Sequence, residues 1–455
     1  MSTTNRVQEI ASIAARLERL PMTSYQRNLF AVIATAWLFD SIDLGALTFL
    51  LGSIKAEFGL SLAEAGFLSS ASFAGMFIGA STSGMLADKF GRKAIFQFSM
   101  IIWGAGALFC GLAPSVSALV VARVIVGIGM GMEFPVAQAI ASELATAQHR
   151  GRYIALLEGC WPLGFIIAGL LTYLILPIGG WRAVFLVTAI PALFVFVVRR
   201  NIPESPRWLA DQGRMAEAEA ILETMENKVI AKLGGTPLPP LPAIEIKQPP
   251  SARMLPLAEL WSKAYAKRTL MVWLMWFFAL LGYYGLTTWL SALLQEAGYS
   301  ITKSVLYIVG ISLAGIPGFL TSAWLIEKWG RKPTAISAFL GSAIAAYLYG
   351  NAGNFTWLIT CGCLMQFFLF GMWSVLYAYT PELYPTRARA TGSGWASAVG
   401  RIGSLIGPPV VGLILPISGQ SAVFAFGAGA FVLAASAVLV LGEETKGRVV
   451  EEISQ

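Results

Sequence analysis

The chain's 455 residues are 56% hydrophobic and only 13% charged, where soluble domains carry roughly 25% charged residues, and its mean hydropathy is +0.68. That composition excludes an ordinary soluble enzyme. The net charge of +7 is spread over short connectors instead of one basic face, so no nucleic-acid partner is expected.

Residues 1–27 are polar, with an amphipathic pattern (Ile10, Ile13, Leu17, Leu20), and no cleavable signal peptide is expected there. Beyond them lie twelve apolar blocks of about 20 residues, the length that crosses a bilayer core. Labelled α1 to α12 in chain order, they cover 28–50, 65–86, 94–112, 117–141, 153–176, 182–199, 268–293, 304–326, 334–350, 355–380, 391–415 and 421–441. Basic residues occupy alternate connectors: Lys89, Arg92 and Lys93 after α2, Arg150 and Arg152 after α4, Arg199, Arg200 and Arg207 after α6, Lys328, Arg331 and Lys332 after α8, and Arg387 and Arg389 after α10. The positive-inside bias then puts those connectors and both termini in the cytoplasm of a cell whose inner membrane the chain spans. The expected division is a cytoplasmic segment 1–27, a six-helix bundle 28–200, a cytoplasmic loop 201–266, a second bundle 267–442 and a tail 443–455.

In chain order, α1 carries Asp40 and Asp43. A spacing of three puts both on one helix face, which must be the protein-facing one. Two buried carboxyls that close cannot both stay charged, so one is expected to hold a proton near neutral pH.

Between α2 and α3 the chain reads Asp88-Lys89-Phe90-Gly91-Arg92-Lys93, and between α8 and α9 it reads Glu327-Lys328-Trp329-Gly330-Arg331-Lys332. The offset is 327 − 88 = 239 residues. An internal repeat in a membrane chain fits a transporter of two like halves with its substrate between them. The loop acid can cap the positive end of a neighbouring helix or pair with an Arg, which makes Asp88, Gly91, Arg92, Glu327 and Arg331 gating candidates. The alternative is a purely topogenic basic cluster.

Arg123-Val-Ile-Val-Gly127-Ile-Gly129-Met-Gly131 in α4 superficially suggests a dinucleotide loop. It lies inside an apolar helix with no preceding strand, so its small residues serve close helix approach instead. Arg123 is a natural counter-charge for the α1 acids. Glu133 in α4 and Glu158 in α5 are further intramembrane acids, and Pro162 after Trp161 frees a backbone carbonyl and bends α5 beside the pathway. His149, the sole histidine, lies in the α4–α5 connector and reads as a loop residue, not a proton relay.

The 201–266 loop opens on Pro203-Glu204-Ser205-Pro206-Arg207, continues as a helix from Met215 to about Leu233, then becomes a Pro-rich linker over 236–250. No catalytic domain fits there. Gly-flanked Tyr283 and Tyr284 in α7 suit a bend that gates a pocket. With Trp161 in α5 and Trp373 and Tyr377 in α10, they offer rings to a flat substrate. Arg401 lies about ten residues into α11, too deep for easy snorkelling. A guanidinium there needs an anion, either a substrate or an internal carboxylate such as Glu133 or Glu158. Cys110, Cys160, Cys361 and Cys363 fall within apolar blocks and read as packing residues; no metal or other cofactor is expected.

Five phrases together resemble the major facilitator superfamily, in its branch of sugar porters, organic-ion carriers and synaptic-vesicle-glycoprotein-like proteins. They are the two acid-x-x-Gly-Arg-Lys loops, the Arg123 to Gly131 phrase, Pro203-Glu204-Ser205-Pro206-Arg207, Pro381-Glu382-Leu383-Tyr384-Pro385-Thr386-x-x-Arg389, and Glu444-Thr445-Lys446-Gly447. The resemblance covers nearly the whole chain. It implies an all-α membrane protein of twelve helices in two pseudo-symmetric six-helix halves, generally a monomer, and it adds Glu204, Arg207, Glu382 and Arg389 to the gating set. In sugar porters the positions matching Asp43 and Arg123 form the proton-coupling pair. In organic-ion carriers the position matching Arg401 is Asp in cation carriers and Arg in anion carriers, so the resemblance implies an anionic substrate.

The α1 phrase Phe39-Asp40-x-x-Asp43-x-Gly45 together with Arg401 resembles bacterial niacin carriers. The function expected is therefore proton-coupled uptake of a small aromatic monocarboxylate such as nicotinate. Rival cargoes are a benzoate-like or other organic anion, an organic cation or drug held by Asp40 and Asp43, or a sugar, although the paired glutamines of sugar porters are absent from α7. A transporter-like solute sensor is the rival of another class, and an enzyme is excluded for want of a nucleophile–base set.

Overall fold

The computed structural model describes residues 12–144, 153, 156–241, 260–263, 265–296, 298–384 and 386–446, and the regular structure among them is helical throughout. Nine continuous helical stretches are long and apolar enough to cross a membrane. Two of these are double, breaking direction at Gly180 and at Gly419, and Arg331–Gly350 adds a further helix. The result is twelve membrane helices: α1 Ser24–Phe58, α2 Leu62–Phe90, α3 Arg92–Leu112, α4 Val116–Leu144, α5 160–179, α6 181–201, α7 Ala266–Thr287 with Leu290–Glu296, α8 Ile301–Leu313 with Gly315–Lys328, α9 Arg331–Gly350, α10 Phe355–Glu382, α11 386–418 and α12 420–441.

Local chemistry sets the ends. The Thr23 side chain accepts from the Tyr25 N–H at 3.3 Å while the Gln26 side chain accepts from the Thr23 N–H at 3.0 Å, a capping box that starts α1 before its apolar block. Ser61 and Glu64 repeat the device at the start of α2. Proline marks two breaks: α8 interrupts at Ala314, three residues before Pro317, and the chain turns at Gly159, just ahead of α5 and three residues before Pro162.

In the first half α4 threads between α2 and α3. A Cβ on Gly127 would lie 2.0 Å from the Ser72 carbonyl oxygen and one on Gly131 2.3 Å from that of Met76, so only glycine permits the α2–α4 crossing. The halves meet at the face opposite the basic loops. Lys55 at the end of α1 pairs with Glu296 at the end of α7, and a Cβ on Gly412 of α11 would lie 2.4 Å from the Leu62 carbonyl oxygen.

On the basic-loop face the acid at each helix start is a distant one. Glu204 Oε1 accepts from the N–H groups of Arg92 and Lys93 at 3.0 and 3.1 Å, capping α3. Glu444 accepts from those of Arg331 and Lys332 at 2.9 and 3.1 Å, capping α9. The expectation that the loop acids themselves cap is therefore corrected. Asp88 is exposed and uses its carbonyl, which accepts from Trp208 Nε1 at 2.8 Å and Gln212 Nε2 at 3.1 Å. Among the described residues Glu327 pairs with Arg331 in its own helical turn, at 3.4 Å.

The 201–266 loop forms two short helices, Pro206–Asp211 and Met215–Lys232. They share a separate apolar cluster with the N-terminal segment, in which Ile13, Leu17 and Leu20 pack with Trp208, Leu222 and Met225. Glu226 ties the seam by pairing with Arg16 and Arg19 at 2.6 and 2.7 Å, and Arg207 pairs with Glu18 at 3.0 Å. Residues 242–259, which hold part of the expected linker, lie outside the described residues. So do His149, Arg150, Arg152, residues 447–455 and the side chains of Arg387 and Arg389.

Candidate functional site

Two polar centres lie within the helical core. The first joins α1 to α4. Arg123 Nη1 donates to Asp43 Oδ2 at 2.9 Å, Arg123 Nε donates to Ser72 Oγ at 2.9 Å, and Thr188 Oγ1 donates to Asp43 Oδ1 at 3.0 Å. Both ionic side chains are fully buried, and the guanidinium lies over the Phe185 ring, 5.5 Å from its centroid.

One turn back on α1, Asp40 is buried, and among the described residues neither of its carboxyl oxygens has a hydrogen-bond partner. Its electrostatic neighbours are Glu133 and Asp43. Glu133 accepts from Trp103 Nε1 at 3.1 Å and Ser99 Oγ at 3.4 Å through Oε2, while its Oε1 has no partner.

The second centre is a cavity between the halves, lined by Trp37, Glu158, Trp161 and Pro162 from the first half and Tyr284, Trp373, Tyr377 and Arg401 from the second. Arg401 is only 8% exposed. Its Nη1 contacts the Met76 thioether sulfur at 3.8 Å, a weak acceptor, and among the described residues no carboxylate forms an ion pair with it. Glu158, across the same cavity, accepts from Gln138 Nε2 at 3.0 Å.

Rings enclose the remaining wall. Trp373 stacks on Tyr377 with centroids 5.8 Å apart, and Trp276 meets Tyr377 edge-on at 5.4 Å. The chamber thus combines one cation, Arg401, one acid, Glu158, and several aromatic faces.

The structure thus gathers Arg401, Glu158, Trp161, Tyr284, Trp373 and Tyr377 around one cavity, and Asp43 with Arg123 at another centre. Tyr283 departs from the group: it lines an adjoining chamber with Ser41, Thr48, Ser69, Thr287 and Thr288. Glu133 is held by Trp103 and Ser99, so it is not the internal partner of Arg401. Asp40 and Asp43 do not line the Arg401 cavity.

The bend expected at the α7 glycines falls instead at Thr288–Trp289, where the Trp289 indole donates to the Pro408 carbonyl at 3.1 Å. In the loops, Arg331 holds Glu382 through two nitrogens at 2.8 Å each, a contact within the second half. Sequence reasoning missed Trp37 as a cavity wall, although it lies one turn before Asp40. It also missed Ser72 and Thr188, hydroxyls of a kind common in apolar helices.

Twelve helices in two halves around a charged, aromatic chamber define a multi-pass membrane carrier. The chain belongs to the family described as "Sugar (and other) transporter", which it matches over residues 31–455. It is 39% identical over 443 residues to a niacin transporter, NiaP, of Acinetobacter baylyi, covering 97% of this chain and 99% of that one. It is also 27% identical over 403 residues to a 4-hydroxybenzoate transporter, PcaK, of the same species, covering 88% and 87%. Its fold matches the xylose transporter XylE from E. coli in a partially occluded inward-open conformation, with a TM-score of 0.74, 20% identity, and 94% of this chain and all of that one covered. These relationships make the chain a transporter and not an enzyme.

Proposed function

We propose that the chain takes up a small aromatic monocarboxylate such as nicotinate across the inner membrane, together with protons, working as a monomer with both termini in the cytoplasm. The observation that carries this reading is Arg401, a buried guanidinium without an ion-pair partner among the described residues, in an aromatic cavity between the halves. Arg401 clamps the carboxylate, Trp373, Tyr377, Tyr284 and Trp161 hold the ring, and the buried acids of α1 and α4 take the proton. Two relatives named for niacin and 4-hydroxybenzoate support the substrate class, since each of those compounds joins one aromatic ring to one carboxylate. The loop contacts around Glu204, Arg331, Glu382 and Glu444 brace each half as the cavity opens to one side and then the other.

The test is thermal denaturation of purified protein with and without nicotinate. A ligand at a hundredfold excess over Kd stabilises the folded state by roughly 2.7 kcal/mol, and Arg401→Ala is expected to lose that shift while still melting cooperatively. Stabilisation by amines alone would assign the cavity to a cation held by Glu158. Unchanged nicotinate binding by Arg401→Ala would remove the clamp.

A further inference from the structure

Resting on the aromatic-carboxylate reading above, we propose that Glu158 reads the ring of the substrate, hydrogen-bonding a ring nitrogen while Arg401 holds the carboxylate. The carrier then selects acids built on a pyridine-type ring over those built on plain benzene.

The inference starts from two opposite charges that do not meet. Glu158 stands just ahead of α5 in the first half and Arg401 on α11 in the second. Both line one cavity, 5% and 8% exposed. Charges so far removed from water attract strongly, and Arg401 does act on Glu158 electrostatically. Among the described residues, however, the two form no ion pair. Arg401 Nη1 rests on the Met76 sulfur at 3.8 Å, and Gln138 of α4 donates to Glu158 Oε1 at 3.0 Å. A carboxylate accepts about four hydrogen bonds, so Gln138 leaves Glu158 room for another partner. A molecule that completes both groups is negative at one end and pairs with an acid at the other.

The walls make that molecule flat. Trp161 lines the cavity from the first half, and the stacked Trp373 and Tyr377, centroids 5.8 Å apart, line it from the second. Nicotinate meets every condition. Benzoate has the same outline but sets a C–H where the nitrogen would be. The contact to Glu158 needs one proton: as N–H···O or as O–H···N it attracts, whereas without a proton two lone pairs face each other. A benzoate ring leaves a buried acid facing carbon, and sites built around a polar atom reject analogues that lack it.

The experiment measures equilibrium binding of nicotinate and of benzoate to the purified full chain, wild type and Glu158→Leu. The wild type is expected to prefer nicotinate by about tenfold, the size of one hydrogen bond to a charged group, and Glu158→Leu to bind the two acids alike. Equal binding of both acids by the wild type, or an undiminished preference in Glu158→Leu, overturns the assignment. Binding of neither acid by the wild type overturns the carboxylate reading itself, and the assignment with it. Where Glu158→Leu does not fold, Glu158→Gln keeps the side chain's shape and serves with a second readout. The ring-nitrogen NMR resonance of isotopically labelled nicotinate is expected to move upfield on binding to the wild type, towards that of a protonated pyridine, and less far in Glu158→Gln. The same resonance position in both proteins overturns the assignment.

Discussion

Gly180 and Gly419 hold the same backbone conformation in the two halves, φ 68° and ψ −175° at one, φ 74° and ψ −177° at the other. Their separation is 419 − 180 = 239 residues, the offset of the repeated basic loops, and the prolines three residues earlier, Pro177 and Pro416, keep it as well. The repeat is therefore conformational as well as verbal. Each glycine reverses the chain between a pair of helices in a region of φ and ψ that other residues reach only under strain.

Because none of the described residues crowds a Cβ at either site, the strain can be measured alone. Gly180→Ala and Gly419→Ala are each expected to lower stability by about 1–3 kcal/mol, in similar amounts. Gly84→Ala, equally uncrowded but helical, should change it by no more than about 1 kcal/mol. Thermal melting in one detergent compares all three.

The Asp43–Arg123 pair makes a second prediction. Asp43→Asn or Arg123→Met leaves a buried charge without its partner, at a cost of about 3–5 kcal/mol. The double variant should lose less than the sum of the two. A melting cycle of four proteins gives the coupling energy, and simple additivity would mean that the pair contributes nothing as a pair.

The seam between the N-terminal segment and the loop helices should be acid-labile. Burial pushes the Glu226 carboxyl up, but its hydrogen bonds to Arg16 and Arg19 outweigh that and hold it below the ordinary carboxylate value. A depressed carboxyl contributes stability that is present above its unfolded pKa, about 4.3, and is lost as pH falls through the folded one. Hydrogen-exchange protection across residues 12–20, taken relative to the intrinsic rate at each pH, is expected to fall below about pH 4.3 and to become insensitive to acid in Glu226→Gln.

Much of this was legible because a charge in a hydrocarbon helix has few permissible explanations. Arg401, Glu158 and the rings of α5, α7 and α10 could be picked from the sequence and do converge, since each stood out against an apolar background. What stayed hidden was partnership across the fold. Glu204 is 204 − 92 = 112 residues from the amide it caps, so a local reading could offer only Asp88, the acid next to the turn, as a cap or as a partner for an Arg. Ser72 and Thr188, which complete the Asp43–Arg123 centre, look in sequence like any hydroxyl bonding within its own helix. The α7 bend was misplaced for a related reason. Gly282 and Gly285 leave room for neighbouring helices, with Phe431 close to one and Gly407 to the other, while the break one turn later depends on the reach of Trp289 to Pro408.

The caps on α3 and α9 have a consequence for biosynthesis. Glu204 follows the sixth membrane helix and Glu444 the twelfth, so each half is fastened by the last part of itself to leave the ribosome. The first bundle can close while the second is still being made. A nascent chain stopped short of Glu444 would carry twelve helices with the amides of Arg331 and Lys332 still bare, so the second half gains its last brace only as synthesis ends.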